Sequence, residues 1–535
     1  MSWEGIRRGV LQFAVLSIVF AAYAATARLG LSFDAVGGVA TTVWPPSGIA
    51  LATLVLFGPR AWPLIALAAF LVNATTGIPL WGAAIIAVGN TLEAVVGATL
   101  LARFGFDSRL ARLRDVLLLL VMAALGSTMI SATLGLLAAG LTGLHPSDSY
   151  PAFWSVWWVG DAMGNLLVAP LILTWVTPIR LSRRPGRWLE AALLAGALGF
   201  VSLIVFRGLF AIRAVELVRG TYAIVPLLIW ASLRFEQRGT TAALLFVAIM
   251  AVTAKASPGS IAARTSHEQL LMVQCYMAVT AVSMLTLAAA LAERRAAISA
   301  RDEFISIASH ELKTPLTALK LRLDSATRPG VKPGTPELDP EVRLTRAIAA
   351  ANITTDRLVS LVDNLLDVSR VHAARLVLHL EPVLLGDLLG EVAARLREQA
   401  AEVGSSIELQ LSEKIVGIWD RSRMEQVATN LLTNAIKYGH GRPIVVTART
   451  VAGRLQLRVK DSGIGISRSD QSRIFRAFER VATSGRVGGL GLGLYIGQQI
   501  AAAHGGTLSV ESAPGRGAAF TLDMPLGPAG QGASS

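Results

Sequence analysis

Ser309-His310-Glu311-Leu312-Lys313-Thr314-Pro315-Leu316 stands where one kind of polypeptide gives way to another. Ahead of it, apolar runs long enough to cross a bilayer, about 20 residues each, follow one another to about residue 292. Behind it, charged and apolar residues interleave over roughly 240 residues, room for two small soluble modules. The octapeptide itself is helical in pattern. From Leu287 through Leu323 no Gly occurs and the only Pro is Pro315, while apolar residues recur by threes and fours at Ile298, Ile305, Ala308, Leu312, Leu316, Leu319 and Leu323. This pattern starts so close behind the last apolar run that the two are expected to form one helical rod.

On that rod His310 offers an imidazole, a nucleophile for phosphoryl groups when an adjacent carboxylate, here Glu311, orients it and takes up charge. Thr314 follows one turn later on the same face, where its hydroxyl is placed to hold a water beside a phosphorylated group. Pro315 removes the donor that would bond the Glu311 carbonyl and is expected to bend the helix. Taken alone, the octapeptide reads equally well as an exposed His beside an acid. Pro and Gly residues at Arg328–Pro340 mark a turn, and a second helix is expected at Glu341–His372, with an apolar stripe of Leu344, Ile348, Ala351, Leu358, Leu361, Leu365 and Val368. A hairpin with one stripe per helix buries both only by pairing with a second hairpin. A homodimeric four-helix bundle is therefore expected.

Beyond Pro382 the pattern is mixed: helices at Leu385–Val403, Arg421–Tyr438 and Leu494–His504, and strands at Ser406–Leu411, Ile444–Ala448, Leu455–Lys460, Thr507–Ser512 and Ala518–Met524. An α/β sandwich follows. Four clusters punctuate it. In Asn430-Leu-Leu-Thr-Asn434-Ala-Ile-Lys437-Tyr438 two amides and an ammonium share one helix side, suited to a magnesium ion and phosphate, or to a plain polar face. Asp461-Ser462-Gly463-Ile464-Gly465-Ile466 ends a strand with glycines that allow close backbone approach, as any Gly-rich turn would. Ile474-Phe475-Arg476-Ala477-Phe478-Glu479-Arg480 sets two aromatics three apart, at a lid base or in a core. Gly488-Gly489-Leu490-Gly491-Leu492-Gly493-Leu494 leads into a helix whose N-terminus and amides suit phosphates, unless it is a flexible linker. No G-x-x-x-x-G-K-[ST] occurs, so a P-loop is excluded.

Taken in order, His310, Asn430 with Asn434, Asp461 with Gly463 and Gly465, the two phenylalanines, then Gly489, Gly491 and Gly493 resemble the motifs of sensor histidine kinases. Their nucleotide domain has the Bergerat fold shared with heat-shock chaperone, mismatch-repair and gyrase-type ATPases. The resemblance covers about residues 295–528 and implies a signalling helix with a dimerisation and histidine phosphotransfer domain at 293–375, then a catalytic ATP-binding domain at 376–528, with 529–535 a disordered tail. It further implies that ATP is held by Asn430, Asn434, Lys437, Tyr438, Asp461, Gly463, Gly465, Phe475, Phe478, Gly489, Gly491, Gly493 and Leu494, with Mg2+ through Asn434 and the adenine amino group on Asp461. The γ-phosphoryl would pass to His310, assisted by Glu311, and then to an aspartate of a separate response regulator. Ala518 departs from the pattern, standing where the family usually has Thr.

Composition governs the first half. With 53% hydrophobic and 16% charged residues and a mean hydropathy of +0.55, an ordinary soluble enzyme is excluded. An all-α polytopic domain at 1–292 is expected, with about ten crossings near 10–28, 39–57, 61–75, 80–102, 115–140, 152–176, 188–206, 221–235, 239–254 and 268–292. The first reads as an anchor rather than a cleaved leader. The net charge of +13 follows from topology rather than from nucleic acid, because basic residues gather in loops of one side. These are Arg7 and Arg8; Arg103, Arg109, Arg112 and Arg114; Arg180, Arg183, Arg184 and Arg187; and Arg294 and Arg295. Arg207, Arg213 and Arg219, and more weakly Lys255 and Arg264, dissent. ATP is cytosolic, so the expectation is a multi-pass protein of the bacterial inner membrane with its kinase domains in the cytoplasm. The single Cys275 allows no intrachain disulfide.

Val43-Trp44-Pro45-Pro46-Ser47-Gly48, the Asn90/Glu93 pair and Trp157-Trp158-Val159-Gly160-Asp161 resemble the first type of bacterial membrane-associated sensor domain. Glu93 and Asp161 within crossings are costly unless paired, hydrated or protonated. With Trp44, Pro45, Pro46, Asn90, Trp157 and Trp158 they form a candidate sensor pocket, which Asn73 and Asn165 could join; an interhelical hydrogen-bond network is the competing account. Outside loops are short, so the stimulus is expected to be small, membrane-embedded or delivered by a membrane protein. A transporter coupled to a kinase is the alternative, and it would call for an internal repeat, of which none is convincing. A cyclic-dinucleotide enzyme would need a Gly-Gly-Asp/Glu-Glu-Phe signature, which is missing.

Overall fold

Pro45-Pro46 opens a helix in the only place where two prolines cost no hydrogen bond, its first turn. The computed structural model of the chain describes residues 3–32, 41–143, 150–177, 186–207, 222–254, 267–327, 340–372, 377–411, 414–479 and 491–527. The turn at 328–339, Gly489, the tail 529–535 and Arg180, Arg183, Arg184, Arg213, Arg219, Lys255 and Arg264 lie outside the described residues. By internal contacts the chain forms two units, Met1–Ala300 and Arg301–Ser535.

The first unit is helical: α1 (Trp3–Ser32), α2 (Pro45–Phe57), α3 (Trp62–Ala74), α4 (Leu80–Arg103), α5 (Leu113–Leu118), a π-helical stretch Leu119–Ser127, α6 (Thr128–Thr142), α7 (Tyr150–Val176), α8 (Gly186–Arg207), α9 (Val225–Ala254) and, as far as Ala300, α10 (His267–Thr327). Among the described residues seven helices are long and apolar enough to cross a membrane. The expected crossings at 39–57 and 61–75 are the short α2 and α3. Those expected at 221–235 and 239–254 are the two arms of α9, which breaks at Glu236 (φ 58°, ψ −157°). α2 is buried from Pro46 through Leu54, as befits a helix apolar all round. It lies against α7 so closely that a Cβ on Gly164 would come within 2.0 Å of the Trp44 carbonyl oxygen, and one on Gly48 within 2.2 Å of the Gly164 carbonyl. Small residues let helix backbones meet where no water drives association, which gives the Trp-Pro-Pro-Ser-Gly motif a packing role.

The break at Glu236 also gathers loops. Glu236 pairs with Arg295 at 3.5 Å, Arg187 donates to the Arg234 carbonyl, Arg238 to the Thr174 carbonyl, Gln237 to the Leu110 carbonyl, and the Leu113 amide to Glu293. Three basic segments that the charge pattern assigns to one side, those around 110–114, 187 and 295, thus meet at one end of the unit.

In the second unit, α10 and α11 (Pro340–His372) form the hairpin. α10 continues through Pro315, and Ile305, Leu316, Leu321, Leu344, Ile348 and Ile353 are each at least half exposed. The sheet that follows runs β2-β4-β5-β7-β6, with β2 (Ile407–Leu411) parallel to β4 (Ile444–Val451) and antiparallel ladders to β5 (Arg454–Lys460), β7 (Ala518–Pro525) and β6 (Thr507–Ser512). α12 (Leu385–Glu402), α13 (Arg421–Tyr438) and α14 (Gly493–Ala503) share a core with it, Leu388, Val392, Leu431 and Leu432 meeting the alternate buried residues Val446, Leu457 and Leu522. A two-stranded ribbon of β1 (Glu381–Leu384) and β3 (Val416–Trp419) was not expected from the sequence. It anchors the buried Trp419, whose indole N–H donates to the Pro525 carbonyl at 2.8 Å.

Candidate functional site

α13 begins on Asp420, whose Oδ1 accepts from the Arg423 amide at 3.1 Å and from the Ser422 hydroxyl at 2.7 Å, while Oδ2 accepts from the His379 amide. Burial pushes this carboxyl up, but these donors and the Arg423 charge outweigh it and hold it below the usual range. The capped helix then carries Asn430 and Asn434, half-buried, the exposed Lys437 and the half-buried Tyr438 along one side. Asn430 Nδ2 donates to the Gly493 carbonyl at 3.3 Å, tying α13 to the start of α14. That start has no side-chain cap and no acid in its first turn, and Gly491 before it has φ +68°. Uncapped amides behind a glycine turn are an anion site in waiting. Leu494, half-buried, lies in this first turn.

The Asp461 loop is built by backbone approach. A Cβ on Gly463 would stand 1.7 Å from the Tyr438 carbonyl oxygen, and one on Gly465, at φ +69°, 1.9 Å from the Ala513 carbonyl. The Ile464 amide reaches the Tyr438 carbonyl, and Gly515 and Gly517 donate to the carbonyls of Ile464 and Gly463. Between them Asp461 is 5% exposed, and its Oδ1 accepts from the amides of Gly463 (2.9 Å) and Ala518 (3.2 Å). Burial raises its pKa despite those bonds. Because the Ala518 contact uses the main chain, a Thr there is not needed to hold Asp461. Phe475 and Phe478 pack half-buried against the core, Phe478 with φ +65°.

His310 stands on α10 with its side chain 80% exposed, Nδ1 3.7 Å from Glu311 Oε1. The Thr314 hydroxyl donates to the His310 carbonyl at 3.2 Å. Sequence reading missed how the domain of α13 and α14 meets the hairpin. The Phe304 and Phe478 rings meet edge to face at 5.6 Å, and Asp367 Oδ2 accepts from Arg423 Nη1 and Gln426 Nε2, both at 2.8 Å. Nothing in the local patterns of α10 or α11 marks these partners, which lie more than 50 residues away.

The first unit holds a second polar group. The Ser47 hydroxyl lies 2.9 Å from Asp161 Oδ1 and 3.5 Å from Glu93 Oε2, Asn165 Nδ2 donates to Glu93 Oε1 at 3.1 Å, and Asn90 Oδ1 accepts from Ser131 Oγ, which in turn accepts from Trp157 Nε1. Tyr23, buried, reaches Asn90 and lies within electrostatic range of Glu93 and Asp161. Of the expected pocket, Asn90, Glu93, Trp157 and Asp161 come together. Trp44, Pro45 and Pro46 form the entry to α2, while Trp158 stacks on Trp154 at 5.4 Å and donates to the Leu125 carbonyl. Asn73 bonds within its own helix. Ser131 and Tyr23, neutral residues in apolar runs, carried no signal in the sequence.

Residues 14–295, more than half of the chain, match the MASE1 family; residues 300–374 match the His Kinase A (phospho-acceptor) domain; and residues 419–528 match the histidine kinase-, DNA gyrase B-, and HSP90-like ATPases. The chain is 34% identical over 242 residues to the circadian input-output histidine kinase CikA of Synechococcus elongatus (44% of this chain, 31% of that one). It is 34% identical over 236 residues to the alginate biosynthesis sensor protein KinB of Pseudomonas aeruginosa (44% and 38%), and 35% identical over 247 residues to the signal transduction histidine-protein kinase BarA of Escherichia coli (44% and 26%). It spans less than half the length of each.

Proposed function

The chain belongs to the membrane sensor histidine kinases, with a MASE1 sensor region ahead of a phosphoacceptor domain and an ATPase domain, and from that premise we propose that it transfers the γ-phosphoryl of ATP to His310 and on to an aspartate of a separate response regulator. The observation that carries this is a nearly bare imidazole, His310 beside Glu311, in the same unit as a glycine-lined cradle ending on an uncapped helix. In this reading Asp461 accepts from the adenine amino group, α14 and Gly491 meet the phosphates, and Lys437 adds positive charge. Asn430 and Asn434 offer amide oxygens, and among the described residues no cluster of three or more acids, His or Cys competes for a metal. That donor set fits Mg2+, which takes few protein ligands and shares substrate phosphates. When bound, the ion neutralises charge on the phosphoryl group. Glu311 orients the His310 ring, and Thr314 gives up its backbone bond when it turns to hold water.

The half-exposed leucines and isoleucines of the hairpin support a homodimer, since a lone hairpin leaves them in water. The basic segments that meet at one end of the first unit support placing the kinase domains in the cytoplasm of a bacterium, at its inner membrane. The polar cluster around Glu93 and Asp161 is the stimulus site, framed by the α2 entry at Trp44, Pro45 and Pro46, with Trp158 on the flank. The test is phosphate transfer from γ-labelled ATP to the full chain in lipid, beside His310→Gln and Asn434→Ala. Acid-labile, alkali-stable label on the parent, absent from both variants, is expected. Label that survives His310→Gln would move the acceptor elsewhere.

A further inference from the structure

Phosphoryl transfer makes no use of the two carboxylates buried in the first unit. Glu93 and Asp161 are each 1% exposed and are bridged by Ser47. Two carboxylates so placed are stable only if a positive charge joins them or protons neutralise them. The helices packed around the pair supply no such charge. α1 brings Tyr23, a phenol; α2 brings Ser47; the π-helical stretch has no titratable residue; α6 brings Ser131; α4 and α7 bring the acids themselves, with Asn90 and Asn165. Among the described residues no Lys, Arg or His of this unit is buried.

A second observation points to what completes the site. Asn165 spends its amide nitrogen on Glu93 Oε1 and on the Ala123 carbonyl at 3.2 Å, and its own Oδ1, buried, has no partner; nor has Asp161 Oδ2. Buried oxygens left without a donor are rare and costly. The Asn165 oxygen sits on the same amide group whose nitrogen reaches Glu93, at the edge of the carboxylate pair. Ala123 lies in the π-helical stretch, a distortion frequent at functional sites. Spare oxygen acceptors, a deficit of donors and no countercharge describe a hard-cation site. The pair carries two negative charges, so one monovalent ion completes its neutralisation together with a single proton held between the Glu93 and Asp161 carboxyls, which lie within hydrogen-bonding reach of each other. A divalent ion would want about six oxygens or retained waters, more than this buried cluster offers.

We propose that Glu93, Asp161, Ser47 and Asn165 bind one small monovalent metal cation of the Na+ class. That its binding is also a stimulus for the kinase rests on the reading of this cluster as the stimulus site, so binding and output are measured apart. The full chain in lipid nanodiscs is titrated with NaCl against choline chloride at constant ionic strength, reading equilibrium 22Na+ binding and thermal unfolding. Parent protein, Glu93→Gln and Asp161→Asn are compared, with Trp188→Phe, at an exposed position of α8, as the control. The expected result is saturable 22Na+ binding and Na+-dependent stabilisation in parent and control, weakened on the order of a hundredfold when either carboxylate is neutralised. Glu93→Gln keeps the side-chain shape and an oxygen for Asn165, so it carries the test if Asp161→Asn does not fold. Absence of 22Na+ binding in the parent overturns the proposal, as does binding unchanged in a folded Glu93→Gln or stabilisation that follows pH alone. Autophosphorylation in the same nanodiscs is the separate readout: cation binding without change in label keeps the site and removes only its role as stimulus.

Discussion

The glycine cradle of the second unit is made of backbone, glycines pressed against carbonyls with half-open side chains around them, whereas the polar cluster of the first unit is made of side chains no more than 8% exposed. Water explains the difference. A cradle that opens to solvent can leave amides and amide side chains waiting for a ligand, because water satisfies them meanwhile. A cluster among apolar helices has no such reserve, so each polar atom needs a neighbour, and the few that lack one stand out. Both regions nonetheless depend on glycine for close approach.

The sharpest way to break the comparison is to add one methyl group to each. Gly463→Ala drives a Cβ into the Tyr438 carbonyl, and Gly164→Ala drives one into the Trp44 carbonyl. Neither neighbour is a side chain that can swing away, so each is expected to cost about 3 kcal/mol or more. The outcomes should separate. Gly463→Ala loses roughly two orders of magnitude in ATP affinity by calorimetry while the helical unit melts as before. Gly164→Ala lowers the melting temperature of the helical unit and leaves ATP affinity intact. Loss of ATP binding in Gly164→Ala would mean that the two regions do not fold independently.

Next in size is the charge at the base of the cradle. Asp461→Asn can keep an oxygen toward the Gly463 and Ala518 amides but turns the other oxygen, the one left for the adenine amino group, into an NH2 donor, and should weaken ATP by about 2 kcal/mol, roughly thirtyfold. The parent should also show a pH signature. Burial raises the Asp461 pKa, so the group takes up its proton above the ordinary carboxylate range, and ATP affinity should begin to fall there as pH drops. Stability of the ligand-free domain runs the other way: with a raised folded pKa, this residue's contribution is fully present below the unfolded pKa and is lost as pH rises through the folded one. Affinity and stability measured over the same acid range should therefore diverge in the parent and not in Asp461→Asn. Parallel curves would remove Asp461 from adenine recognition.

How much of this was legible follows the same division. α13 and β6 match their expected bounds to the residue, because a helix with one buried stripe and a strand of alternating burial write their period into the sequence. The ribbon of β1 and β3 was missed because strands of four residues, one interrupted by a proline and the other by a glycine, carry no period. In the cradle Asn430, Asp461, Gly463 and Gly465 fall where the motifs put them. In the membrane cluster Glu93 and Asp161 were visible as charges in apolar runs, but Ser131 and Tyr23 were not, since a neutral polar residue there is ordinary. Trp158 shows the converse error: neighbouring tryptophans on a helix point about 100° apart, so only one of the pair reaches the cluster.

A smaller effect concerns the helix that carries the cradle. Asp420→Ala removes the cap of α13 and its bond to His379, and should cost about 1 to 2 kcal/mol of domain stability by urea unfolding. The Asp420 pKa is depressed, so this contribution is present above the unfolded pKa and lost as pH falls through the folded one. The gap between parent and variant should close in acid, opposite in sign to Asp461. A gap independent of pH would mean that the cap works through packing alone.

The smallest effect is the most informative about output. Asp367 and Arg423 are mostly buried, with side chains 8% and 17% exposed, and with Gln426 they latch the nucleotide domain to α11, while His310 stays open. In the proposed reaction, a domain held in a pose that leaves the His310 ring bare is not delivering phosphate to it, since transfer needs the reacting atoms about 3 Å apart. The latch therefore favours the waiting state. Asp367→Asn keeps an oxygen for Arg423 and Gln426 and removes the charge, which should release about 1 kcal/mol, the difference between a charged and a neutral hydrogen bond, and raise the initial rate of autophosphorylation about fivefold at unchanged ATP affinity. A lower rate would mean that the latched pose is the one from which phosphate moves, and that the bare His310 receives it from the nucleotide domain of a second chain.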